Sequence, residues 1–302
     1  MRRLFFLFLL LFTLAGCRAQ TVTPIVTGGE SATPAPAGAS DTPAAPAETP
    51  TATPTPVPAA LRVNGEEVPL SEYAASLAQL EQARPDLDPA ARRDQVIADL
   101  TDQTLLAQAA SQSGFSLDDA ALQARVDALA GQMGGAEALE AWQAQMGYTG
   151  ESFRGALRRA AAAAWMRDQI LAAVPVEAEQ VRARQIVTRT EEGAQTVLQQ
   201  ANAAGTNFAA LAAGYDLATR GDLYWFPRGY LNEPAVEEAA FALQPGEISG
   251  IIKSGIGYHI LQVVSKEVRP LSADARLVLQ RKALAAWLAE HRQSAQVDVI
   301  VP

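Results

Sequence analysis

The chain is poor in the side chains that most enzymes use to make and break bonds. It has a single cysteine, Cys17, and only two histidines, His259 and His291, in 302 residues. One thiol cannot form an internal disulfide, so the fold has to rest on core packing. Zinc sites of the Cys/His kind need more ligands than this inventory offers. Positive charge is scarce as well. The 24 Lys and Arg against 33 Asp and Glu leave a net charge of −9, the wrong sign for a nucleic-acid footprint. Arg92-Arg93 and Arg158-Arg159 are isolated pairs and read as solvated helix faces. No Gly-x-Ser-x-Gly elbow, phosphate loop or dinucleotide fingerprint occurs. Hydrolytic and nucleotide-driven chemistry therefore lack their usual groups.

What is present begins with an export signal. Arg2 and Arg3 precede the apolar run Leu4–Phe12, which is followed by Leu14-Ala15-Gly16-Cys17. A positive start, a short apolar stretch and small residues at a cleavage point make a secretory signal. The run is shorter than the roughly 20 residues a membrane span needs. The tetrad ending in Cys17 resembles a bacterial lipobox, which implies lipidation of Cys17, anchoring at a membrane and work outside the cytoplasm. More than one acyl chain makes such anchoring stable.

From Arg18 to Ala60 the sequence is Thr, Pro, Ala, Gly and Ser, with Thr-Pro-Ala-Pro at 33–36 and Thr-Pro-Thr-Pro at 53–56. Few of these residues could join a core, so residues 18–60 are expected to be a disordered tether. As a coil its ends would lie on the order of 35 Å apart.

The remainder divides by texture. Residues 61–176 open with a short strand or hairpin whose turn is Asn64-Gly65, and then read as helices. Leu70, Tyr73, Leu77 and Leu80 share one face, and Pro85 and Pro89 end that segment. Val96, Ile97, Leu100 and Leu105 mark a helix stopping at Gly114. Ser116 with Asp119 reads as a capping box before Leu122, Val126, Leu129 and Met133. Leu139, Trp142 and Met146 mark a further helix, and Thr149 caps an Ala-rich one reaching about Ala173. These stripes read as core rather than as a partner groove. Beyond Val181 strands and helices alternate. Strands are expected near 181–187, 222–226, 250–252 and 258–264, and helices near 191–204, 208–213 and 233–243. This is a compact α+β unit. A last helix over about 273–293, presenting Leu277, Leu284 and Leu288, and a strand over 297–301 close the chain.

Six segments of the α+β unit occur in the order found in the parvulin-type peptidyl-prolyl isomerases. They are Asn207-Phe208-Ala209-Ala210-Leu211-Ala212, Arg220-Gly221-Asp222-Leu223, Phe226-Pro227-Arg228-Gly229, Glu237 to Leu243, Pro245 to Gly250, and Gly257-Tyr258-His259-Ile260. Residues 180–266 resemble that family throughout. The helices before them look like the chaperone region of extracytoplasmic foldases typified by the surface-antigen chaperone and the lipid-anchored secretion foldase. The architecture implied is α+β: a mostly helical chaperone-like domain, residues 61–176, completed by 268–302, with a four-stranded parvulin-like domain, 177–267, inserted between. Val63-Asn64-Gly65-Glu66 and Val297-Asp298-Val299-Ile300 fit that closure.

The implied activity suits the sparse inventory. Isomerising an X-Pro bond breaks nothing; the barrier, about 18–20 kcal/mol, is the resonance lost when the amide twists. An apolar pocket holding the ring, with a few polar groups favouring the twisted state, lowers it without nucleophile, metal or cofactor. The resemblance implies pocket walls from Leu223, Leu231, Val236 and Phe241. It assigns Ser254 to a position where the family has Thr, and His259 to the second of two family histidines. The first is Gln185 here, an amide that hydrogen-bonds but does not titrate. The loop that carries a polar Cys or Asp is shortened to Gly214–Thr219, leaving Asp216 as the substitute. His259 reads equally as a strand histidine satisfied by local hydrogen bonds, and His291 as surface. Three functions fit: a foldase that binds unfolded, proline-containing exported chains and isomerises them; a holdase whose parvulin domain binds peptide without catalysis; and an assembly lipoprotein with one partner.

Overall fold

The computed structural model describes residues 58–301; the expected export signal, Cys17 and the expected tether up to residue 57 lie outside the described residues. Among those described, no helix is long and apolar enough to cross a membrane.

Strands β1 (Ala59–Val63) and β2 (Glu66–Pro69) form a hairpin. Its turn is Asn64-Gly65, with φ of 53° and 85°. Two successive left-handed residues make the tight turn that matches strand twist, which is why Asn-Gly occupies it. β1 begins at Ala59, so the expected tether boundary at residue 60 is two residues late. Ala60 is fully buried, and its carbonyl accepts the N–H groups of Ile300 and Val301. Composition alone hid this, because Ala is as ordinary in a linker as in a packed strand.

Helices α1 (Leu70–Ala83), α2 (Pro89–Gln112), α3 (Asp119–Met133), α4 (Ala136–Gln145) and α5 (Gly150–Ala172) follow. α2 starts at Pro89 under the Asp88 side chain, where a missing N–H costs nothing. α3 is capped by Asp118, which accepts from the Ala121 N–H, so the expected Ser116–Asp119 box is not used. Thr149 does cap α5, in a reciprocal box with Ser152. α2 and α5 meet through Ala107, Ala110 and Ala162, whose small side chains let the backbones approach. Arg159 is not solvated surface, as the Arg pair suggested. Its guanidinium is bonded to Glu72, with side chains 11% and 4% exposed. Leu70, placed by periodicity on the core face, is 40% exposed at the first position of α1.

The α+β unit comprises β3 (Glu177–Thr188), α6 (Glu191–Asn202), α7 (Phe208–Tyr215), β4 (Asp222–Pro227), α8 (Pro234–Ala242), β5 (Ile252–Ser254) and β6 (Gly257–Pro270). Its sheet is antiparallel in the order β4-β3-β6-β5. β5 starts two residues after the expected strand at 250, because the backbone at 248–249 reaches β6 by single contacts: Ile248 bridges Gln262 and Ser249 bonds Leu261. Alternation divides β3 and β6 between two faces. Val181, Ala183, Leu261 and Val263 point to the side holding Phe226, Val236, Ala240 and Phe241. Ile186 and Ile260 point to the side covered by Val197, Ala201, Phe208 and Ala212.

The two ends of this unit are paired: Glu177 lies opposite Pro270, and Leu271 N–H donates to Val176 O at 2.9 Å. An excursion of some 90 residues that leaves and returns at one point can be inserted without disturbing its host. After it, α9 (Ala273–Ser294) and β7 (Val297–Val299) rejoin the helical part. β7 pairs with β1 in a three-stranded sheet ordered β2-β1-β7, and Trp287 and Val301 pack on the core of Leu61, Val63, Tyr73 and Leu100. The anticipated leucine stripe of α9 is weaker than expected: Leu277 is half exposed, and the fully buried residue is Ala275. His291 stacks on Trp287 at 3.7 Å between ring centroids, so it is a packed residue rather than free surface.

Candidate functional site

Register brings three of the singled-out residues together. Val187 lies opposite His259, and Gln185 opposite Leu261, so Gln185 and His259 are diagonal neighbours on one sheet face. Ile252 lies on the other side of His259, which places Ser254 of β5 on that same face. His259 Nδ1 and Gln185 Oε1 are 3.1 Å apart, and His259 Nε2 and Ser254 Oγ 2.7 Å. With the amide oxygen accepting, Nδ1 carries the proton and Nε2 accepts from the Ser254 hydroxyl. Ser254 Oγ in turn accepts the Ile256 N–H at 3.1 Å. The imidazole is 1% exposed. Burial pushes its pKa below the ordinary value, and the charge of Glu233 opposes this in part. The ring is therefore neutral at neutral pH, held in one orientation by a side chain at each nitrogen.

Gln185 is held by backbone as well as by its amide. Its N–H donates to Gly221 O at 2.8 Å. Gly221 has φ of +74°, and a Cβ there would meet Gln185 O at 2.5 Å. This explains Gly in Arg220-Gly221-Asp222: only a residue without a side chain lets the loop lie against β3. Beside it, Asp222 Oδ2 accepts from Arg182 at 2.7 Å and Oδ1 from the Tyr224 N–H at 2.7 Å.

The apolar residues fall into one cluster with unequal access. Val236 and Phe241 are 2% and 6% exposed and belong to the core, whereas Leu223 and Leu231 pack against it from partly exposed positions. Of the four, Leu223 and Leu231 therefore keep surface exposed, while Val236 and Phe241 lie in the core. Phe241 meets Phe226 edge to face and carries the Arg228 guanidinium over its ring at 4.1 Å.

Asp216 takes another place. Its carboxylate accepts from the Ala218 and Thr219 N–H groups and from the Thr219 hydroxyl, and those bonds, led by the hydroxyl, lower its pKa. It folds its own loop, and among the described residues no hydrogen bond joins it to His259. The carboxylate whose field reaches the imidazole is Glu233, at the start of α8. Glu237 was also missed. Its two oxygens accept the Gly229 and Leu231 N–H groups at 2.7 and 3.0 Å. The signal was an acid in the first turn of a short helix, where carboxylates are favoured anyway, so sequence gave it no special meaning.

Residues 170–265 match the model of the rotamase family, described as the PPIC-type PPIASE domain. The chain is 43% identical over 97 residues to foldase protein PrsA of Caldanaerobacter subterraneus, covering 30% of this chain and 31% of that protein. It is 34% identical over 129 residues to chaperone SurA of Aromatoleum aromaticum, covering 37% and 28%. The chain spans about three-tenths of the length of these curated relatives. Among solved structures, a peptidylprolyl isomerase (PrsA) from Bacillus cereus aligns over 75% of this chain and 85% of its own, at 18% identity and a TM-score of 0.44. The four-stranded unit carrying Gln185, His259 and Ser254 is a PPIC-type, or parvulin, peptidyl-prolyl isomerase domain.

Proposed function

We propose that this chain is a lipid-anchored, extracytoplasmic foldase that isomerises X-Pro bonds in unfolded exported polypeptides. The observation that carries the reading is the Gln185–His259–Ser254 chain beside the partly open apolar surface of Leu223 and Leu231. A proline ring set on those two leucines would offer its bonded amide to Gln185 and Ser254, the partly exposed members of this chain, each an uncharged hydrogen-bonding group oriented by the buried His259. Such a group favours the twisted amide without bonding to it covalently, which is what this reaction needs. The domain assignment supports the same chemistry. The helical module, with β7 and α9 closing it, is the part that holds the client. Leu14-Ala15-Gly16-Cys17 and the Pro/Thr/Ala tether supply export, anchor and reach.

A protease-coupled assay on a proline tetrapeptide tests the activity. Turnover above background that falls on His259→Ala is expected; a background rate in the wild-type chain removes the enzyme reading. Loss of incorporated fatty-acid label on Cys17→Ala tests the anchor.

A second reading, a holdase that binds peptide without turnover, draws on one observation. Gln185 Oε1 and Ser254 Oγ are each bonded to His259, so both nitrogens of the imidazole are already engaged. Suppression of client aggregation with no isomerase rate would favour it.

A further inference from the structure

The loop that carries Leu231 is fixed by two charges from different parts of the molecule. Glu237 of α8 accepts the N–H groups of Gly229 and Leu231, at 2.7 and 3.0 Å. Lys282 of α9 donates to the carbonyls of the same two residues, at 2.6 and 3.3 Å. All four backbone polar groups of Gly229 and Leu231 are thus taken by one carboxylate and one ammonium. Between them, the Tyr230 hydroxyl donates to Asp274 Oδ2 of α9 at 2.7 Å, and the Leu279 side chain sits against Gly229.

Packing holds the loop on one side only, where Tyr230 and Leu231 lie against the apolar cluster. On the α9 side lies an open groove of about 550 Å³, bordered by Leu231, Asn232, Val278, Arg281 and Ala285. A loop beside such space is held by its hydrogen bonds, and bonds to charged partners are roughly twice as strong as neutral ones. α9 in turn is seated in the helical module. Trp287 packs on that module's core, Gln280 donates to Leu171 O at 3.2 Å, and Arg292 pairs with Asp102.

We propose that Lys282, working opposite Glu237, is a positioning residue for the proline pocket, so that the helical module sets the geometry of the isomerase domain's Leu231 wall. This rests on the isomerase reading for its kinetic consequence and on the loop geometry for the rest. In the parvulin domain by itself, the Gly229 and Leu231 carbonyls would lose their cation and the wall its fixed height.

The test uses the full chain. Lys282→Met keeps the aliphatic stem and removes the charge; KM and the Kd of a proline tetrapeptide should rise about three- to fivefold, the scale of a charged hydrogen bond open to solvent. kcat at saturation should stay within about twofold, because the Leu231 wall that Lys282 positions grips substrate and transition state alike. Lys282→Arg should restore most of the affinity. Amide exchange at Gly229 and Leu231 should quicken in Lys282→Met, and Tyr230→Phe should move KM the same way by less. Unchanged Kd and unchanged exchange in Lys282→Met would overturn the inference. A wild-type chain with no turnover would end the isomerase reading instead, while Kd and exchange still decide the clamp.

Discussion

His259 Nδ1 and Gln185 Oε1 lie 3.1 Å apart across the two central strands of the parvulin sheet. The Gln185 amide orients the imidazole of His259. A glutamine holds one end of the ring as an acceptor and never competes for its proton. His259 is thereby held in a single tautomer.

That pairing is directly testable in activity. His259→Ala should lower kcat/KM on the order of ten- to a hundredfold, as loss of a buried hydrogen-bonding group does. Gln185→Leu should fall in the same direction and also cost about 1–3 kcal/mol of stability, since the buried Nδ1–H loses its acceptor. Coupled-assay kinetics and urea unfolding measure the two effects separately.

The pH dependence follows from the burial of the same ring. The folded state keeps His259 below its ordinary pKa of 6.5. As pH falls through 6.5 the unfolded chain takes up a proton that the folded chain refuses, so unfolding gains. This contribution is fully present above 6.5 and declines below it, until the folded pKa is reached. Thermal unfolding at a series of pH values should show this loss in the wild type and a flatter profile in His259→Gln. An equally steep profile in both would exclude His259 as its source.

In the helical module the stake is an ion pair. Glu72 and Arg159 are almost completely withdrawn from water, and the Glu72 charge, after burial, also raises the pKa of Tyr148 beyond its usual range. Arg159→Met alone should destabilise by about 3–5 kcal/mol, because it strands a buried carboxylate. The double change Arg159→Met with Glu72→Gln should recover most of that loss. A double-mutant cycle in denaturant, showing strong coupling, checks it.

Gly221 offers a steric test. A methyl group there meets Gln185 O at 2.5 Å on a backbone with φ of +74°. Gly221→Ala should cost roughly 2–3 kcal/mol from strain and displacement, and should shift the Gln185 and His259 side-chain resonances. Stability within error of the wild type would mean that the loop has room to give.

Much of this architecture was legible in sequence for identifiable reasons. Asn64-Gly65 names its turn because few other pairs accept two positive φ values. Thr149 names a helix start because its hydroxyl satisfies a free N–H. Alternation along Val181–Val187 separates two sheet faces. The misses came where several readings were locally equivalent. Ser116 and Asp118 are both good caps, and only the chain path selected Asp118. Ala60 could be linker or strand until Ile300 and Val301 arrived to bond it. Arg159 could be solvated until Glu72 was brought beneath it.

The site divides in the same way. By itself the sequence determined what the chain has to work with: one thiol placed in a lipobox-like tetrad, a Pro/Thr/Ala stretch with little to pack, a polar set of Gln185, Ser254 and His259, and a set of apolar residues. These depend on residue type and spacing, which act locally. Tertiary structure decided which groups meet. Strand register joined Gln185 to His259, and the packing of helices on the sheet put the Glu233 charge within reach of the imidazole and let Lys282, 51 positions beyond Leu231, hold that residue's carbonyl. Such contacts are set by how strands and helices pack across long sequence separations, and no local pattern encodes them.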